Sequence, residues 1–327
     1  MEIRDVPEPA PGDFELKVKV SAVGICGTDI HIMRDEYPCQ KPVIMGHEYV
    51  GIVTETGACV TRFSAGDRVV SLTAKHTCGS CVYCRQGLYM LCAERKSIGS
   101  GMDGAMAEYV TIPERLAYKV PKDVPYGNEL ALSEPLACCI RGLLERSTIT
   151  AGDVVLISGP GTIGLLCLQL AKLAGARVVV AGIEKDMPRL ELAKKLGADA
   201  IAWTAEQVRE AIYAMDPLGA DVAAECAGVA ASVKTCVQML KKQGHYTQMA
   251  LFGKEVPVDL DSLLFKELTV HTTYAQEPTS WDRLMGILSQ GRLDLASLFD
   301  DSLRLEDWSE AFDRFVNQTG FKIAMRP

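Results

Sequence analysis

Cys26, His47 and the adjacent Glu48 offer a thiolate, an imidazole and a carboxylate within one Gly-punctuated run, GICGTDIHIMRDEYPCQKPVIMGHEYVGIVTETGACV, from Gly24 to Val60. Those donor types hold Zn²⁺, and three protein donors with one position left for substrate make a catalytic site. Taken singly, a cysteine is a small buried hydrophobe and a histidine a hydrogen-bonded core or surface residue. The frame Gly46-His47-Glu48-x2-Gly51-x5-Gly57-x2-Val60 sets these residues in one register. A second cluster lies in HTCGSCVYCRQGLYMLC, where Cys78, Cys81, Cys84 and Cys92 are spaced C-x2-C-x2-C-x7-C. Four thiolates on short loops converge on one Zn²⁺ with no open position, which makes such a site structural. A [4Fe–4S] cluster competes, because C-x2-C-x2-C also opens ferredoxin-type runs. His76 precedes the first of these cysteines by two positions and reads as a bystander, since four thiolates complete the site.

A third chemistry-bearing stretch is Gly159-Pro160-Gly161-Thr162-Ile163-Gly164, between the apolar run DVVLIS and the helical run LLCLQLAKLAG. In that setting the glycines permit a tight turn and close approach of a pyrophosphate, and the helix N-terminus supplies positive potential. Gly159, Gly161, Thr162, Ile163 and Gly164 are therefore the expected dinucleotide contacts. The next strand, Arg177 to Ala181, is expected to end in an acid for the adenosine ribose, yet that position is Gly182. An acid there binds the ribose of NAD and repels a 2′-phosphate; glycine does neither. Lys185 and Arg189 are placed to meet a phosphate and Glu184 and Asp186 oppose it, so the expectation leans to NADP or to tolerance of both.

The elements that position these groups follow from hydrophobic patterning. Glu15 to Val23 alternates apolar and polar residues and reads as a half-buried strand, as do residues 50–54 and 68–72. Short strands with turns between them predict a β-rich, barrel-like domain. Beyond residue 153, strands at about 153–158, 177–181, 200–203, 221–228, 246–252 and 268–274 alternate with helices, one of them Pro188 to Gly197. That alternation predicts a doubly wound parallel sheet. From Thr279 onward the pattern is that of amphipathic helices. At 327 residues, with 48% hydrophobic and 23% charged content, the chain is globular and suits two domains. A net charge of −8 argues against nucleic acid, which needs a basic face. No apolar run approaches the roughly 20 residues that span a bilayer. The acidic, proline-rich start MEIRDVPEPAPGD is no targeting segment. Twelve cysteines then read as thiols and metal ligands in a reducing cytoplasm.

The Gly46–Val60 frame resembles the signature of the zinc-containing medium-chain alcohol and polyol dehydrogenases. Cys26-Gly27-Thr28-Asp29-Ile30-His31 resembles that family's first zinc-ligand segment, and the resemblance extends over nearly the whole chain. It implies a GroES-like catalytic domain at 1–132 with a structural-zinc lobe at about 76–95, a Rossmann domain at 133–277 and a return to the catalytic domain at 278–327. It implies one further strand before the segment matching Met1, so that this chain is either naturally short or started late. Glu134-Pro135-Leu136 resembles the Glu-Pro motif of polyol and threonine dehydrogenases, and Glu134 stands 25 residues before Gly159, as in the family; otherwise, a Glu before Pro is a helix-entry residue. The implied catalytic zinc is held by Cys26 and His47, with Glu48 and Glu134 as alternative or water-bridged ligands. The four clustered cysteines hold the structural zinc. By the same resemblance Thr28 is expected to take the substrate proton and His31 to pass it to solvent through the cofactor ribose, with Asp29 expected to fix the ring of His47. The implied activity is zinc-dependent hydride transfer between a secondary alcohol, polyol-like, and NAD or NADP. L-Threonine or a simple secondary alcohol is the alternative substrate. A zinc-free reductase and a non-catalytic nucleotide-binding protein are the competing classes. A homodimer or homotetramer with a small-molecule substrate completes the expectation.

Overall fold

Alternation in the first apolar stretch becomes β1 (Glu15–Gly24), which buries Leu16, Val18, Val20 and Ala22 on one face. The computed structural model describes residues 1–327. Immediately after β1 the chain turns into α1 (Gly27–Met33), for which Cys26 is the N-cap. β2 (Glu48–Thr56) pairs antiparallel with β1 so that Glu48 lies opposite Gly24. The end of β1, the start of α1 and the start of β2 therefore meet, and this brings Cys26 beside His47 and Glu48. The glycine frame has a steric cause here: a Cβ on Gly51 would stand 2.4 Å from the carbonyl oxygen of Lys19 on the paired strand.

β2 continues the sheet through β3 (Arg68–Ser71) to β5 (Ala117–Lys119), while β4 (Tyr109–Pro113) pairs with β1. The cysteine-rich segment between β3 and β4 is loop with one turn of α-helix, α2 (Val82–Arg85), and a 3₁₀ turn at Tyr89–Leu91. α3 (Ser133–Ile140) opens with Glu134 in its first turn.

The parallel sheet contains β6 (Val154–Ser158), β7 (Arg177–Ala181), β8 (Ala200–Ala202), β9 (Ala220–Glu225), β10 (Leu240–Gln248) and β11 (Thr269–Thr272), in the order β11-β10-β9-β6-β7-β8. All five pairings are parallel. Every residue of β6 is buried, as expected of a parallel strand covered on both faces. The connecting helices are α4 (Thr162–Leu173), α5 (Met187–Lys195), α6 (Ala205–Met215), α7 (Ala230–Met239) and α8 (Leu260–Phe265). α5 stops before Gly197, whose φ of +99° suits only glycine well. β10 begins six residues earlier than its hydrophobic pattern predicts, with a register break between Leu240 and His245. It ends at Gln248 because the N–H groups of Met249 and Ala250 both turn to the carbonyl of Glu225.

The final stretch corrects the all-helical expectation. α9 (Pro278–Leu288) and α10 (Trp308–Val316) form, but so do β12 (Phe299–Arg304) and β13 (Lys322–Arg326). β13 pairs with β1 and buries Lys322, Ile323, Ala324 and Met325 in succession. One of its partners, β1, lies at the other end of the chain and the other is β12, and its unbroken run of buried residues shows no alternation. Two compact units result, Met1–Pro135 with Gln276–Pro327, and Leu136–Ala275.

Candidate metal centres and dinucleotide loop

Cys26 Sγ, a ring nitrogen of His47 and a carboxylate oxygen of Glu48 lie within 4.8 Å of one another. Asp29, wholly buried on α1, accepts the backbone N–H of Cys26 at 2.8 Å through Oδ2. Its Oδ1 faces His47 Nδ1 at 3.7 Å and has no hydrogen-bond partner. A carboxylate on Nδ1 leaves Nε2 to ligate, the arrangement found behind metal-binding histidines. Burial opposes charge on His47, but Asp29, Cys26 and Glu134 overcome it and hold the imidazole well above its ordinary range. Burial, reinforced by Glu48 and opposed by His47, pushes Glu134 up to about 7. Acidic groups crowded so closely, with one buried oxygen unpartnered, fit a dication, which reverses the local pKa logic when it binds.

Thr28 Oγ1 is 3.7 Å from Cys26 Sγ, and His31 lies one turn further along α1 with Nδ1 2.7 Å from Glu36 Oε2. Thr28 and His31 are three residues apart and share a helix face. Glu134 falls outside the 4.8 Å set. It is nearly buried, and Gln276 Nε2 donates to its Oε1 at 2.8 Å. Two neighbours of the site escape sequence reading. Gln276 is one. The other is Lys322, which forms an ion pair with Glu48 Oε2 and donates to the carbonyl of Ile25 at 2.7 Å. Burial lowers the pKa of Lys322, yet Glu48 and Cys26 raise it above the usual value. No motif signals either residue, because each reaches the site only through tertiary pairing.

The four sulfurs of Cys78, Cys81, Cys84 and Cys92 also lie within 4.8 Å of one another. Backbone N–H groups point at them: Cys78 donates to Cys92 at 3.4 Å, Cys81 to Cys78 at 3.3 Å and Cys84 to Cys81 at 3.5 Å. Such donation favours thiolate, and hydrogen bonds from Cys81 and Ser80 bring Cys78 down to about 6. An all-thiolate set closed by its own loop fits a structural tetrahedral ion. His76 instead forms a backbone bridge with Lys96.

In the parallel-sheet unit, Gly159 has a φ of +106°, and a Cβ on Gly164 would lie 1.9 Å from the Gly159 carbonyl oxygen. Gly161, the N-cap of α4, has nothing within 4 Å of where its Cβ would be. That space, beside the unpaired first-turn N–H groups of Thr162, Ile163 and Gly164, fits a pyrophosphate. Gly182 directly follows β7, and a Cβ there would meet Asp186 Oδ2 at 3.1 Å. Asp186, which accepts the N–H of Ile183 at 3.0 Å, thus brings a carboxylate to the strand end that lacks one. Lys185 is exposed and Arg189 half-buried nearby.

The chain matches the alcohol dehydrogenase GroES-like domain over residues 12–122 and the zinc-binding dehydrogenase family over residues 162–290. It is 35% identical over 328 residues to a sorbitol dehydrogenase of Halalkalibacterium halodurans, covering 99% of this chain and 95% of that protein. A D-arabitol-phosphate dehydrogenase of Enterococcus avium is 37% identical over 327 residues, with coverage of 99% and 93%. The fold superposes on a zinc-binding dehydrogenase of Sinorhizobium meliloti 1021, solved with NADP, at a TM-score of 0.89 and 34% identity, covering 99% of this chain and 95% of the other. With relatives matched almost end to end, the chain belongs to the zinc-containing medium-chain dehydrogenase/reductase family.

Proposed function

We propose that this protein interconverts a secondary alcohol of a polyol or polyol phosphate and the corresponding ketone, with NAD or NADP as partner. The observation that carries the reading is the convergence of Cys26, His47 and Glu48, with Thr28 Oγ1 3.7 Å from Cys26 Sγ. Zinc held there supplies Lewis acidity that makes a substrate hydroxyl a better proton donor, and the nicotinamide supplies the hydride acceptor. Cys26, His47 and Glu48 hold the ion. Thr28 takes the hydroxyl proton, and His31, ordered by Glu36, hands it on to solvent. Asp29 keeps His47 in the tautomer that ligates through Nε2. Glu134 stays nearby, outside the ligand set. Cys78, Cys81, Cys84 and Cys92 hold a second, structural zinc. Gly159, Gly161, Thr162, Ile163 and Gly164 bind the pyrophosphate. Asp186 favours NAD, whereas Lys185 and Arg189 favour NADP.

Reduced-nicotinamide absorbance, followed with polyols, polyol phosphates, simple secondary alcohols and L-threonine, tests this with both cofactors and with and without a chelator. Chelator-sensitive turnover of a polyol or its phosphate is the expected result. Turnover that persists after loss of the metal at Cys26, His47 and Glu48 would sink the mechanism.

The protein is also inferred to work as a homo-oligomer in the cytoplasm. β11 is an edge strand, and Leu251, Leu260, Leu264, Phe265 and Val270 near it are all exposed. An open strand edge flanked by apolar side chains is a template for pairing with another chain. All twelve cysteines are free thiols, which suits a reducing compartment. No helix is long and apolar enough to cross a membrane.

A further inference from the structure

Glu134 and Gln276 mark the two places where the chain leaves and re-enters the metal-bearing unit, which breaks after Pro135 and resumes at Gln276. The two side chains meet in the interior: Gln276 is wholly buried, Glu134 is 8% exposed, and Gln276 Nε2 donates to Glu134 Oε1 at 2.8 Å. The amide orientation is dictated by charge, since a flipped glutamine would set its oxygen against the carboxylate. Its own Oε1 is buried without a hydrogen-bond partner. A buried amide left half-satisfied is a poor way to fill space, and an apolar residue of the same length would pack there at less cost. The amide therefore serves its neighbour more than the core.

What the neighbour needs follows from the donor set. Cys26, His47 and Glu48 make three protein ligands; one more carboxylate would complete a tetrahedron and leave no open position for substrate. Glu134 is near enough to His47 and Glu48 for the charge of each to act on it. We propose that Gln276 is a positioning residue: its N–H pins Glu134 Oε1 outside the ligand set, so that the zinc keeps a position for the substrate hydroxyl. This rests on the zinc dehydrogenase reading above and deepens it. Gln276 touches neither substrate nor metal; it acts through Glu134.

The test uses full-length protein loaded with zinc and, in parallel, with cobalt at the catalytic position. Gln276→Met removes the donor at nearly constant length. Circular dichroism and thermal unfolding establish that it folds. The expected result is loss of metal to a chelator about 10-fold slower than in wild type, with kcat reduced by a similar factor. The cobalt absorption bands should also shift toward a four-protein-ligand centre. In a Glu134→Ala background the same substitution should have no effect on metal release, because the residue it acts through is gone. A Gln276→Met protein with wild-type release and wild-type cobalt bands overturns the proposal, as does an equal effect in the Glu134→Ala background. If Gln276→Met does not fold, Gln276→Asn, whose amide stops one methylene short, is held to the same outcomes. Wild type carrying only the structural zinc would sink this inference and the functional reading together. Wild type with both zincs and variants that behave alike would sink this inference alone.

Discussion

At the scale of single residues, the metal centre depends on groups that stand behind its ligands. Cys26→Ser or His47→Ala removes one of three donors and is expected to leave about one zinc per chain instead of about two, with turnover lost. Metal analysis by plasma mass spectrometry checks this, and an unchanged count of two would place the ion elsewhere. Lys322 makes a different point. It is 3% exposed and paired with a Glu48 that is 2% exposed. Removing one member of such a pair strands a buried charge, so Lys322→Met is expected to lower stability by about 3–5 kcal/mol in zinc-free protein. Replacing both, with Glu48→Gln added, should recover part of that loss. Denaturant unfolding of the two variants decides it; equal stability of Lys322→Met and wild type would mean the pair is solvated.

At the scale of elements, two loops carry most of the constraint. Gly164 packs the first turn of α4 against the carbonyl of Gly159 with no room for a methyl group. Gly164→Ala is expected to cost about 1–3 kcal/mol and to weaken dinucleotide binding, because the helix must shift away from the strand end it serves. Calorimetric titration with NAD and NADP reads the binding part. Further along the same sheet, Asp199 receives Lys172 Nζ at 2.7 Å and the N–H of Val178 at 2.6 Å. Burial raises the pKa of Asp199, but these two hydrogen bonds prevail and lower it. A depressed carboxylate contributes above its unfolded pKa of about 3.9 and loses that contribution as pH falls through the folded value. Lys172→Ala should therefore cost about 0.5 kcal/mol at neutral pH, and the difference from wild type should vanish under acid. A gap between the two proteins that widens below pH 4 would contradict the sign.

At the scale of the whole molecule, self-association is expected to run through the β11 edge. Phe265 is 75% exposed and Val270, within the strand, 48%. Val270→Lys with Phe265→Glu should yield monomers by light scattering, without loss of the parallel-sheet unit's thermal transition. Oligomers of unchanged mass would assign the contact to another face. The same edge shows what local reading misses: His245 and His271 stack, with Nδ1 and Nε2 2.9 Å apart, because β10 and β11 run side by side. Nothing near either histidine announces the other.

How much was legible in the amino-acid sequence follows from the range of each signal. Donor chemistry, the Cys78–Cys92 spacing and the Gly159–Gly164 turn are short-range facts: residues a few positions apart must share a loop, so type and spacing suffice. Apolar runs such as Val154–Ile157 likewise announce a parallel strand covered on both faces. β12, β13, the ion pair of Lys322 with Glu48 and the hydrogen bond from Gln276 to Glu134 are of another kind. FDDSLR and KIAMR carry no alternation, and the two side-chain contacts join segments far apart in the chain. The choice between Glu48 and Glu134 was likewise open to composition and spacing, since both are carboxylates in the right neighbourhood. The packed structure sets Glu48 with Cys26 and His47 and leaves Glu134 outside that set. It starts β2 at Glu48, opposite the end of β1, and ties Glu134 to an amide that returns to the unit after residue 275. Sequence determines which groups are available within a loop or a turn; which of them meet across the chain is decided by strand pairing and burial, which depend on every element at once.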